Sequence, residues 1–295
     1  MTRDTVRETY MEPRDASSLR NELSRFVEGW RDDLSEAWRS VLSDVEPAVR
    51  DVGEELTFSA KEPIFPARRE RPHAAARPDA HVFRAFDGIQ PAEVRCVLLG
   101  QDPYPSLQRA TGRSFEQGEG PDWESMKISQ SMCGLLQMLA EHRTGDPDYR
   151  GKGGLRRALK AKDVNIEPPC ELFDRWRDQG VLCLNTGLTL TRYVRGGAKE
   201  QLQGHIPFWR PLVAGVMRFL ARRVDGQVVF LLLGKHAWKI ADLTGIQAEA
   251  QVAGTWDRSV GEARPYHPSY RGSKRNGLIE ANDRFAAMGV HGIDW

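Results

Sequence analysis

The sequence predicts an α/β protein: one three-layer domain whose short central parallel sheet of about four strands is flanked by helices, with an N-terminal helical extension. Three observations predict it. Three short apolar runs, 94–99, 181–184 and 228–233, each end in polar or Gly-rich residues, and only Arg95 interrupts them. Such runs are what parallel strands buried on both faces look like. Helix-length segments at 128–142, 171–179 and 208–224 alternate with them, which implies βαβ units.

The elements follow in order. Residues 17–58 read as largely helical, because Leu23, Val27, Trp30, Leu34, Trp38 and Leu42 recur at helical spacing among charged residues. Residues 61–80, rich in Pro, Ala and Arg, read as an extended linker or surface loop. The three strand–helix units come next, then a fourth strand before Tyr266 and a final helix over 277–288. The division expected is an acidic, mainly helical extension over 1–60 and an α/β domain over 61–295.

Composition sets limits. A chain of 295 residues can bury a sizeable core without a metal or disulfide staple. With 40% hydrophobic and 28% charged residues, wholesale disorder and collagen-like repeats are excluded. The longest apolar run, 228–233, is too short to span a bilayer. The charged start MTRDTVRETYMEPRD lacks an apolar segment, so a soluble, cytoplasmic protein is expected, nucleoid-associated if bacterial. The net charge of +1 hides an asymmetry: residues 1–60 carry 8 Arg against 14 Asp and Glu, and 61–295 carry 34 basic against 27 acidic residues. A mildly basic body behind an acidic segment suits a polyanionic partner, and equally suits ordinary solubility. Cys96, Cys133, Cys170 and Cys183 are scattered with no CxxC pair, so no zinc or clustered iron–sulfur site is suggested.

In open α/β sheets, ligands bind beyond the carboxyl ends of the strands. Those ends gather Gln101, Asp102, Tyr104, Asn185 and His267. Asp102, followed by Pro103, can orient a water, act as a base or steady a cation, or it caps a turn. Asn185 can read a planar amide-like ligand or close a turn on local backbone. His267, in the Pro-stiffened HPS (267–269), is a site group or a satisfied structural histidine. Phe115 stacks on a flat ring or packs in the core.

The joint pattern is more specific than its parts. GQDPY (100–104), GVLCLNTGLT (180–189), LLLGKHAWK (231–239), HPS (267–269) and the terminal GIDW (292–295) occur in this order. Together with IFPARRE…HVFRAF (64–86), they resemble uracil-DNA glycosylase of the common, cofactor-free family, from about Pro63 to Trp295. The resemblance implies a monofunctional enzyme of base-excision repair that flips deoxyuridine out of DNA and hydrolyses its base–sugar bond, leaving an abasic site, with no metal or cofactor. It implies that Asp102 positions the water and steadies the sugar cation, and that His267 donates to uracil O2. Asn185 would read the uracil edge, Tyr104 would exclude a C5 methyl, Phe115 would stack, and Gln101 would line the pocket. Ser131, Gly234, Lys235 and Ser269 would hold DNA phosphates. A monomer is expected.

Four departures from the family pattern stand out. Pro105 replaces a His after GQDPY. Glu116 stands where a small hydroxyl residue is usual, so altered phosphate contacts are expected there. ESMKISQSM (124–132) lacks prolines where a DNA-compressing loop should be, which predicts a softer pinch. After HPS the chain runs directly into YRGSKRNG (270–277), without a wedge leucine. Tyr270 or Arg271 takes its place, or nothing does, and Arg271, Lys274 and Arg275 are candidate phosphate ligands. Dependence on single-stranded or destabilised DNA is therefore expected. The basic stretch 151–162 is a second candidate phosphate surface or a solvated helix face. Residues 1–60 are a structural cap, a segment binding a protein partner, or a modulator of DNA affinity; removing them is expected to strengthen DNA binding. The competing readings are a glycosylase-fold DNA-binding protein with weak catalysis, and a glycosylase for another base.

Overall fold

The structure, a computed structural model, describes residues 17–118, 120–192, 198–270 and 275–295. Arg271 and Lys274 lie outside the described residues.

The N-terminal segment is less helical than its periodicity predicts. Strand β1 (Ser17–Ser18) leads into helix α1 (Leu19–Phe26), a 3₁₀ turn (Trp30–Asp33), helix α2 (Glu36–Val41) and strand β2 (Thr57–Phe58), which pairs antiparallel with β1. The breaks are local. Helix α1 stops at Val27, Gly29 at φ +64°, a left-handed conformation, leads into the 3₁₀ turn, and Ser35 caps α2 by accepting from the Trp38 N–H. The periodic apolar residues are nonetheless inward: Leu23, Trp38 and Leu42 are fully buried. Trp38 meets Phe86 edge to face at 5.0 Å and donates Nε1–H to the Ile89 carbonyl. Deleting 1–60 would remove these residues from the core, so that truncation does not isolate the effect of acidic charge on DNA.

Residues 61–80 are also more than a linker. Ile64, Phe65 and Ala67 are buried, and Phe65 exchanges two backbone hydrogen bonds with Leu190 at 2.8 and 2.7 Å. This bracket fixes the chain that follows the second sheet strand.

The sheet is built as the apolar runs predict. Strand β3 (Cys96–Gly100), helices α3 (Gln130–Thr144), α4 (Gly154–Ala158) and α5 (Pro169–Asp178), strand β4 (Val181–Asn185), helix α6 (Ile206–Ala221) and strand β5 (Val228–Leu232) follow in sequence. Helices α7 (Lys235–Thr244) and α8 (Ile246–Val252), strand β6 (Val260–Ala263) and helix α9 (Gly277–Ala287) complete it. The order is β4-β3-β5-β6, all parallel. Alternate residues of each strand feed two cores. Val97, Leu99, Phe230 and Leu232 join the N-terminal segment and α6, while Cys96, Leu98, Val229 and Leu231 join α3, α5 and α9. That period-two division makes three layers. The terminal GIDW closes the second core: Trp295 is fully buried edge to face on Trp176 at 5.3 Å. Among the described residues, no helix is long and apolar enough to cross a membrane.

Candidate active site

Strands β3 and β4 end side by side, with Gly100 paired to Asn185. A Cβ at position 100 would stand 2.5 Å from Asn185 Oδ1 and 2.8 Å from Ser114 Cβ. Glycine is therefore required for the amide to lie between the strand ends. The loops beyond are tied together: Thr186 and Gly187 donate backbone N–H to the Gly100 and Gln101 carbonyls at 3.1 and 2.9 Å. Thr186 Oγ1 also donates to the Gln101 carbonyl, which leaves it to accept from His236 Nε2 at 2.8 Å.

Asp102 projects just past β3. Its Oδ2 accepts from Gln101 Nε2 at 2.9 Å, and its Oδ1 accepts from Gln201 Nε2. Burial pushes the carboxyl up to about 6, against the pull of the two amide donors. Tyr104 is held by its hydroxyl, which lies 2.9 Å from Ser129 Oγ and 3.3 Å from Ser131 Oγ and donates to the Phe115 carbonyl at 3.2 Å. Its ring is thereby fixed against the cleft. Burial raises the phenol above its ordinary range, so the hydroxyl stays protonated. Phe115 sits at φ +63°, a strained conformation for a bulky side chain, and its ring lies 5.9 Å from the His267 ring.

His267 follows β6. Its Nδ1 accepts from the Ser269 backbone N–H at 3.2 Å and lies 2.7 Å from Ser269 Oγ. Burial holds the imidazole below its ordinary range. The ring is therefore neutral at neutral pH, and with Nδ1 accepting, its proton is on Nε2. Gly234, at φ +100°, lets this loop approach, since a Cβ there would meet His267 Cβ at 2.8 Å.

One cleft of about 580 Å³ is lined by Gln101, Asp102, Tyr104, Phe115, Asn185 and His267, with Ser131 at its side. Seven residues singled out in the sequence thus converge. Asn185 is 2% exposed, and its Oδ1 has no hydrogen-bond partner among the described residues. A buried acceptor without a protein partner is a group that a ligand's N–H can satisfy.

Other expectations fall differently. Ser131 bonds the Tyr104 hydroxyl, within the cleft. Gly234 and Lys235 are the cap and first residue of α7, so GKHAWK is a helix start rather than a free loop. Tyr270 is 54% exposed and packs at a tilt against Tyr266 at 5.0 Å, which in turn meets Trp238 at 5.5 Å. Arg275 pairs with Glu280 at 2.6 Å and lines a separate hollow with Glu262 and Arg264. Glu116 is fully buried among Arg84, Arg113 and Arg77 at 3.4, 3.7 and 3.8 Å. It neutralises an internal arginine cluster and does not face a phosphate surface. The basic stretch forms the short α4, with Arg157 over the Tyr149 ring, and does not line the cleft.

Sequence reasoning missed Gln201, Ser129, Arg109 and Arg192, which line the same cleft. The helix-capping pattern before α3 could have found Ser129; the other three lie in no motif.

Comparison with known proteins places the chain in a family. The model of the Uracil DNA glycosylase superfamily matches residues 86–287. The chain is 25% identical over 218 residues to a uracil-DNA glycosylase of Exiguobacterium sibiricum, covering 74% of this chain and 82% of that one. It is 29% identical over 215 residues to one of Lacticaseibacillus casei, covering 73% and 77%. In fold it is similar to a mutant of the UNG of Nitratifractor salsuginis, with TM-score 0.59, 21% identity and coverage of 92% and 99%. It is also similar to mimivirus uracil-DNA glycosylase, with TM-score 0.51, 17% identity and coverage of 80% and 75%.

Proposed function

This chain belongs to the uracil DNA glycosylase superfamily, and on that premise we propose that it hydrolyses the N-glycosidic bond of flipped-out deoxyuridine in DNA, releasing uracil and leaving an abasic site. The observation that carries the base preference is the buried, open Oδ1 of Asn185. Uracil offers an imide N3–H to that oxygen and an O4 acceptor to the same amide's NH₂. Cytosine presents the reversed pattern, so a bidentate contact discriminates by about 1–3 kcal/mol.

Each remaining role rests on the geometry above. Asp102, ionised above about pH 6, orients the attacking water and faces the sugar as it becomes cationic. His267 donates Nε2–H to uracil O2 as negative charge gathers there, and one preorganised donor of this kind is worth about 3–4 kcal/mol. The clamped Tyr104 ring fills the space a C5 methyl would need, and Phe115 stacks on the base. Lys235, Ser269 and Tyr270 contact the strand. Because Tyr270 is exposed beside His267 and no leucine follows HPS, single-stranded or destabilised DNA is the preferred form. For residues 1–60, the burial of Leu19, Leu23 and Trp30 supports the role of structural cap.

The test is release of uracil from labelled oligonucleotides carrying one uracil, single-stranded or opposite A or G, read as alkali-sensitive breaks. Binding without release would favour a DNA-binding protein on this fold. Release of another base would favour a different specificity.

A further inference from the structure

Both oxygens of the Asp102 carboxylate are held by neutral amides, Gln101 on Oδ2 and Gln201 on Oδ1. We propose that Gln201 is a positioning residue for hydrolysis: its amide fixes the Asp102 carboxylate and favours the anion without setting a compensating cation beside it. The inference rests on the uracil-excision reading above.

Four observations carry it. Gln201 opens a π-helical turn, Gln201–His205, that precedes α6. Such turns are rare and recur at functional sites, where the wider turn re-aims side chains. The turn is braced by a buried chain of hydrogen bonds. Trp209 Nε1 donates to Thr189 Oγ1 at 2.7 Å, and that hydroxyl lies 2.8 Å from His205 Nδ1. His205 Nε2 lies 3.3 Å from Thr191 Oγ1. Burial pulls His205 down to about 3, so the imidazole stays neutral.

Room for the contact is also built in. A Cβ at Gly187 would lie 2.8 Å from Gln201 Nε2 and 3.1 Å from Asp102 Oδ1, so any side chain there would part the pair. Finally, Gln201 is 2% exposed and its Oε1 has no partner among the described residues. The reversed amide would press oxygen against a carboxylate oxygen, so the NH₂ must face Asp102. Leaving the other end of a buried amide open is costly, and the donation to Asp102 is what that cost secures.

In the reaction, the water oxygen bonds to C1′ as the C1′–N1 bond breaks. The bonding pair leaves with uracil, whose O2 meets His267, and the water's proton passes to a free lone pair of Asp102. Gln201 touches none of these atoms and acts through the carboxylate. The other charged or titratable groups facing this part of the cleft are Tyr104 and Arg109 after β3, Arg192 after β4, ion-paired with Glu200 at 3.5 Å, and His267 after β6. The hydrogen bonds that tune Asp102 come from the two glutamines.

The test uses the full chain with Gln201→Met, near in size and unable to donate, and Gln201→Glu. Two readouts are compared: the single-turnover rate on a single-stranded uracil oligonucleotide against pH, and the carboxyl ¹³C titration of Asp102, identified by its loss in Asp102→Asn. In Gln201→Met, the rate falls about tenfold or more with KM within about twofold. The acid limb and the Asp102 titration both move up by about one pH unit. Gln201→Glu moves them further, because two adjacent carboxylates share a proton, and it decides the matter if the Met variant does not fold. Either folded variant titrating and reacting like the wild type overturns the proposal. Absence of uracil release by the wild type would sink the functional reading, and the titration would still decide the role of Gln201 toward Asp102.

Discussion

His267 accepts the Ser269 backbone N–H on Nδ1 at 3.2 Å, which leaves Nε2 as the protonated nitrogen of its neutral ring. A donor fixed this way needs no proton from solvent and no reorientation as charge develops. His267→Ala should therefore lower the rate of uracil release by about 10²–10³-fold, with DNA affinity little changed. Ser269→Ala keeps the backbone donor and should cost about tenfold or less. Equal losses in the two variants would place the donor elsewhere.

The hydroxyl clamp on Tyr104 gives a specificity test. With the ring removed, the space reserved against a C5 methyl opens, so Tyr104→Ala should release thymine from T·A oligonucleotides while keeping some uracil activity. Tyr104→Phe keeps the ring but loses the bonds to Ser129 and Ser131. It should still refuse thymine. Thymine release by neither variant would show that another group excludes the methyl.

Asp102 makes stability depend on pH with a definite sign. Burial raises its folded pKa from 3.8 to about 6, so between these values the folded state binds the extra proton. Its contribution to stability is full below the unfolded pKa and is lost as pH rises through about 6. Above that, the buried anion costs about 3 kcal/mol at most. Asp102→Asn should melt higher than the wild type at pH 8 and at the same temperature near pH 4. A difference independent of pH would mean that the carboxyl is not destabilised by burial.

Tyr270 stands exposed against Tyr266, its backbone N–H on the carbonyl of the cleft residue His267, and an exposed ring is a platform for an unpaired base. Tyr270→Ala should weaken binding of single-stranded DNA by about 1–3 kcal/mol and lower the preference for single over double strands. Equal wild-type rates on matched single- and double-stranded substrates would contradict the preference itself.

Much of this was legible in the residues because the physics is local. Three of the four sheet strands are short apolar runs, and Asp102, Asn185 and His267 each stand at or just beyond a strand end. The capped helix α3 and the final helix α9 fell within about two residues of expectation. What was not legible depends on tertiary contact. Gln201 lies in no motif, and only the π turn and the space at Gly187 bring it to Asp102. The burial of Glu116 is not legible because two of its arginine partners, Arg77 and Arg84, lie more than thirty residues upstream and only Arg113 is local. Gly234 and Lys235, expected in a phosphate-holding loop, open a helix that the spacing of the buried Ala237, Ile240, Ala241 and Thr244 marks. The N-terminal periodicity picks out five buried residues and the partly buried Val27, but not the turns that break the helix.

The most direct measurement is uracil release from a single-stranded oligonucleotide carrying one uracil, compared with its cytosine and thymine counterparts, by the wild type, Asp102→Asn and His267→Ala. The account predicts alkali-sensitive breaks at uracil alone with the wild type, and a loss of about 10²-fold or more in each variant. Wild-type protein that binds the oligonucleotide and leaves uracil in place, or variants as active as the wild type, would contradict it.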